Sequence, residues 1–152
     1  MNREEKILQE YILYVQHKEN FVNRSFATNK FYLIMTLVVL AILVPVIFIP
    51  FPFGIVLAML FAIIGMLLCI LWQMNIASYK KLLKVKLHNV IEKVEEELPV
   101  QPYKMESQAL RESKQTRGIM FADIQTALAI MILITFATIF INELVLILNQ
   151  PF

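Results

Sequence analysis

The chain has 152 residues, 59% hydrophobic and 17% charged, whereas a soluble domain is nearer half apolar and a quarter charged. A net charge of +2 is too small to point to nucleic acid, and a single cysteine, Cys69, excludes an internal disulfide. The apolar excess falls in three blocks.

Residues 3–29 come first. Ile7, Leu8, Tyr11, Ile12, Val15, Val22 and Phe26 fall on one face of a helix, with Glu4, Glu5, Gln16, Glu19 and Asn20 mostly elsewhere. Charges run throughout this stretch, and no short apolar core with a cleavage site precedes the first block. The first span is therefore expected to act as its own insertion signal.

The first block, residues 31–49, is 19 residues without a charge. About 20 are needed for a helix to cross a bilayer core of about 30 Å. Pro45 lies inside it and is expected to kink the helix or loosen its last turn. Residues 50–54, Pro-Phe-Pro-Phe-Gly, form a tight hairpin at the outer surface. The second block, 55–74, is again uncharged, and Ala58, Ala62 and Gly65 give it a small-residue face for close helix packing.

Residues 75–98 read as a straight continuation of the second span. Ile76, Tyr79, Leu83, Leu87, Val90, Val94 and Leu98 recur at spacings of three and four, and no Gly or Pro falls between Gly65 and Pro99. One unbroken helix from 55 to 98 would run about 66 Å. Its charge is sorted, with Lys80, Lys81, Lys84 and Lys86 near the membrane and Glu92, Glu95, Glu96 and Glu97 far from it. The lysines are candidates for anionic lipid or for an anionic cytosolic ligand. Glu92, Glu95 and Glu96 are candidates for contact with a basic partner. Residues 99–118 return to the membrane, with a short helix expected over 104–114 and a turn at Gly118.

The third span runs from 119 to 148. Asp123 and Gln125 mark its start, and Asn142 and Glu143 are expected to interrupt its exit. It holds most of the intramembrane polar residues. Asp123, Thr126, Thr135, Thr138, Asn142 and Glu143 are the candidates for lining a pore, with Glu143 as an acidic ring at the outer mouth. The plainer alternative puts Asp123 and Glu143 in water at the two interfaces. Residues 149–152 form an outer tail.

Orientation follows from the basic residues. Five Lys and Arg lie in residues 1–30 and nine in 75–118, with none in the hairpin or after Arg117. The positive-inside rule places the N-terminus and the 75–118 segment in the cytosol, and the C-terminus outside. Trp72 and Tyr79 fit an aromatic belt at the cytosolic interface. The expected fold is all-α: an integral membrane protein with three transmembrane helices, the cytosolic extensions of the first two forming an antiparallel helical hairpin.

No catalytic constellation is present. His17 and His88 lack metal-ligand spacing, and there is no glycine-rich phosphate loop, nucleophile elbow or Cys pair. Neither an enzymatic activity nor a cofactor or metal is expected, and Cys69 reads as a small buried hydrophobe.

From Trp72 to Tyr103 the chain carries Ser78-Tyr79-Lys80, Leu82, Lys86, Val90-Ile91, Glu95, Leu98-Pro99 and Pro102-Tyr103. This resembles a family of small bacterial three-span membrane proteins. In these a Trp closes the second span and is followed by SYR-x-LN, K-F-x-VI, E and LP-x-x-P-F elements. Lys80, Leu83 and Leu87 depart from that pattern. The resemblance implies the bacterial inner membrane and an effector that permeabilises it in antiphage defence. The function expected is thus an oligomeric, channel-like membrane effector controlled by a cytosolic partner or anionic ligand. The alternative is a non-conducting anchor that recruits a cytosolic protein. The lipid bilayer and further copies of the chain are expected partners. Sequence-specific nucleic-acid binding is not.

Overall fold

The computed structural model describes residues 3–49, 53–85, 91–96, 101, 102, 104, 105, 108 and 121–149. Among these there is no strand. The helices are α1 (Arg3–Val46), α2 (Phe53–Val85), the single turn α3 (Glu92–Glu95) and α4 (Phe121–Leu148). Three of them, α1, α2 and α4, are long and apolar enough to cross a membrane. The fold is all-α with three candidate spans.

Helix α1 is unbroken for 44 residues and ends one residue after Pro45. Beyond it, Phe48 N–H donates to Pro45 O at 3.2 Å and Ile49 N–H to Val46 O at 3.1 Å. These three-residue steps are the tightened turn of a fading helix. The hairpin then closes on Gly54, where an added Cβ would lie 3.0 Å from the Ile49 carbonyl carbon, so only glycine admits the backbone there.

Two compact units divide the chain. Unit 2 comprises Thr28–Ile76 and Asp123–Phe152. Its core joins Val39, Leu43 and Val46 of α1 to Ala58 and Cys69 of α2 and Phe136 of α4. Buried positions on α2 are Gly54, Ala58, Ala62, Gly65, Cys69, Trp72 and Ile76. From Ala58 onward they step by four and three, the spacing of helices packed side by side. The small-residue face expected from the sequence is therefore the face turned to the other spans. At Gly65 the Phe136 ring fills the space, and a Cβ would come within 2.6 Å of its Cδ1. Thr36 is fully buried and returns its hydroxyl to its own helix, on Tyr32 O at 3.0 Å and Leu33 O at 2.9 Å.

Unit 1 comprises Met1–Ala27 and Ala77–Ala122. Within it the Phe21 ring packs on Tyr79, centroids 4.9 Å apart, and Tyr11 donates to Glu95 Oε1 at 2.8 Å. Partners rise on one segment as they fall on the other, so the segments run antiparallel. Glu95 Oε2 also accepts the Lys104 N–H at 3.1 Å, and Met105 N–H donates to Gln101 O at 3.0 Å. The unbroken helix expected to Leu98 is present to Val85; residues 86–90 lie outside the described residues, as does most of the 104–114 helix.

Two expectations change. Trp72 does not sit in an interfacial belt: it is 1% exposed, because its indole N–H finds an acceptor inside the bundle. Tyr79 is half-buried against Phe21 instead of facing the interface. Helix α4 runs on through Asn142 and Glu143 to Leu148; no proline falls between them and Pro151, and an apolar run follows them.

Candidate functional site

The polar centre of unit 2 is Asn29, which is buried. Trp72 Nε1 donates to its Oδ1 at 3.1 Å, and its Nδ2 donates to Gln125 Oε1 at 2.7 Å. One side chain thus ties α1 to both α2 and α4. The geometry is self-consistent. An indole nitrogen can only donate, so it fixes the Asn29 oxygen towards Trp72 and the amide nitrogen towards Gln125. Beside Trp72 on α2, Gln73 Nε2 and Asn75 Nδ2 are buried with no acceptor among the described residues. Sequence reasoning passed over Asn29, because an Asn just ahead of Lys30 and an apolar block looks like an ordinary interfacial residue.

The pore-lining candidates do not share one face. Thr135, Thr138 and Asn142 are exposed on the side of α4 turned away from its own bundle, in company with Met131, Ile134 and Ile141. Thr135 and Thr138 donate to Met131 O at 3.1 Å and Ile134 O at 2.9 Å. Glu143 is 3% exposed and turned inward with Phe136 and Ala129. An acidic ring at the outer mouth is therefore not built from it: seven residues beyond Phe136 on a helix returns to the core face. Asp123 is exposed and Thr126 half-buried, and both are engaged with neighbours. Among the described residues no three His, Cys, Asp or Glu side chains converge as a metal site would require.

The cytosolic-side candidates also separate. Lys81 and Lys84 are exposed, whereas Lys80 is half-buried and engaged. Lys86 and the side chain of Glu92 lie outside the described residues. Glu96 is exposed, while Glu95 is buried and held by Tyr11 and Lys104, so its carboxylate acts inside unit 1.

Three long apolar helices, a buried polar tie between them and a polar strip left on the outside of α4 define an all-α membrane protein with surface to spare. The chain belongs to the octameric membrane protein family (8xMP), whose family model matches residues 8–145. No curated protein and no solved structure matches the chain. The family fixes the coarse reading: a small membrane protein that assembles with copies of itself.

Proposed function

We propose that this protein is a gated ion channel or pore, assembled from copies of the chain and opened by a cytosolic partner or anionic ligand. The exposed polar strip of α4 carries this reading. Within the protomer, α4 is the least covered span: 11% of its most apolar stretch is buried, against 28% in α1 and in α2. Three helices cannot enclose a channel, but eight copies can, each bringing Thr135, Thr138 and Asn142 to a common axis. Asn142 has no partner among the described residues, which suits a group facing water or another copy. By the distribution of basic residues, unit 1 lies in the cytosol of a bacterium with the C-terminus outside. The protein then acts as an inner-membrane effector in antiphage defence, with no catalytic chemistry and no cofactor. Lys81 and Lys84 are exposed towards anionic lipid or a soluble anionic ligand.

The test is ion flux from liposomes holding the purified protein, with a potential-sensitive dye in cells expressing it. Asn142→Leu is expected to lower the flux several-fold without changing assembly. Flux that ignores Asn142 and Thr138, or no flux under any condition, sinks the reading.

One observation favours the non-conducting anchor. The Thr135 and Thr138 hydroxyls are already satisfied by their own helix, so both can face lipid at little cost. An anchor leaves the membrane potential intact and retains a cytosolic protein at the membrane.

A further inference from the structure

The open strip of α4 carries few dipoles, and the direction of two of them is fixed. Met131, Thr135, Thr138 and Asn142 follow one another along the helix by four, three and four residues, and all are exposed. A threonine hydroxyl has one proton and two lone pairs. Thr135 donates its proton to Met131 O at 3.1 Å, and Thr138 donates its own to Ile134 O at 2.9 Å. With the proton turned back onto the helix, only lone pairs are left to meet anything outside it. Asn142 carries an acceptor and two donors, so it serves ions of either sign and does not decide between them.

The surroundings lean the same way. No Lys or Arg falls between Lys30 and Lys80 or after Arg117, so no span holds a fixed positive charge. A helix carries about half an elementary charge of negative sign at its C-terminal end. The last turn of α4 holds no basic residue to offset it. At the other end, where the sign is positive, Asp123 stands in the first turn.

We infer, on the strength of the pore reading of α4, that the path along this strip selects monovalent cations. A permeating ion trades part of its water shell for the groups that line its path. Copies related by a closed rotation hold identical residues at one depth, so each threonine becomes a ring of lone pairs. A cation is met by both rings. An anion needs N–H or O–H groups at those levels, and neither threonine offers one. Around a common axis the C-terminal ends of α4 gather partial negative charge at one mouth, and the Asp123 carboxylates offset the positive ends at the other. Divalent cations are not held. Calcium sites are built with carboxylates and magnesium dehydrates reluctantly, whereas Met131, Thr135, Thr138 and Asn142 supply no carboxylate.

The test is the reversal potential of the full-length protein in planar bilayers, read in a potassium chloride gradient and then with calcium replacing potassium on one side. Potassium is expected to permeate several-fold more readily than chloride and than calcium. Thr135→Val with Thr138→Val removes both oxygens and keeps the branched shape of each side chain. This double change is expected to lower the potassium-to-chloride ratio several-fold, with assembly by native mass spectrometry unchanged. Serine at both positions keeps the lone pairs and the ratio. The parent protein's ratio decides by itself where the double valine variant fails to assemble. Current carried equally or mostly by chloride overturns the inference and leaves the pore standing. So does a ratio that survives the double valine change, and so does calcium that permeates as readily as potassium. No current under any condition overturns the inference and the pore together.

Discussion

Asn29 shows what one buried amide contributes. It accepts from Trp72 and donates to Gln125, and its removal strands a donor on one helix and an acceptor on another. Asn29→Leu is expected to destabilise the fold by about 1–3 kcal/mol, the usual result of leaving a buried polar group unsatisfied. Trp72 is the chain's one tryptophan, so its emission reports on the site directly. A lower denaturation midpoint in detergent with a shifted Trp72 spectrum is expected; an unchanged midpoint means that the bonds add nothing net. Gly65 tests packing instead of polarity. Gly65→Ala pushes a methyl into the Phe136 ring and is expected to cost about 1–3 kcal/mol. Phe136→Leu added to it should recover part of that loss, because contacting residues couple. If the two changes simply add in a thermal melt, the ring is not what Gly65 accommodates.

At the scale of elements, α1 is continuous although its composition changes from charged to apolar midway. A helix needs only satisfied backbone bonds and no proline until its end, and Pro45 supplies that end. Unit 1 depends on Glu95, which links Tyr11 to the Lys104 backbone. Glu95→Ala is expected to speed hydrogen exchange at the Lys104 amide by about one to two orders of magnitude, given about 1.5–3 kcal/mol for hydrogen bonds to charged groups. Glu95→Gln, which keeps an acceptor, should lie between. Equal exchange in all three proteins would remove Glu95 from this role.

For the whole molecule, the arrangement turns two neighbouring residues in opposite directions. Asn142 looks out from the protomer and Glu143 looks in. If the assembly conducts as proposed, Asn142→Asp adds a carboxylate to each copy's open strip and shifts the reversal potential towards cations. Glu143→Gln leaves selectivity unchanged, since its carboxylate does not face the strip. A selectivity change from Glu143→Gln alone would mean that α4 rotates on assembly.

The number of spans, their approximate limits and the segregation of all fourteen basic residues follow from the sequence alone. They depend on the length of uncharged runs and the position of charges, which are properties of segments. Ala58, Ala62 and Gly65 were legible as a packing face because small size is itself a signal. The inward turn of Trp72 and Glu143, the bridging of Asn29 and the internal use of Glu95 were decided only in the tertiary structure. A span that is apolar all round has no periodicity to mark its buried face, so the face is chosen by the helices beside it. The same limit applied to the wide stripe of α1. Its spacing marked an apolar face, and packing against its own chain decided which half of it is covered and which half is exposed.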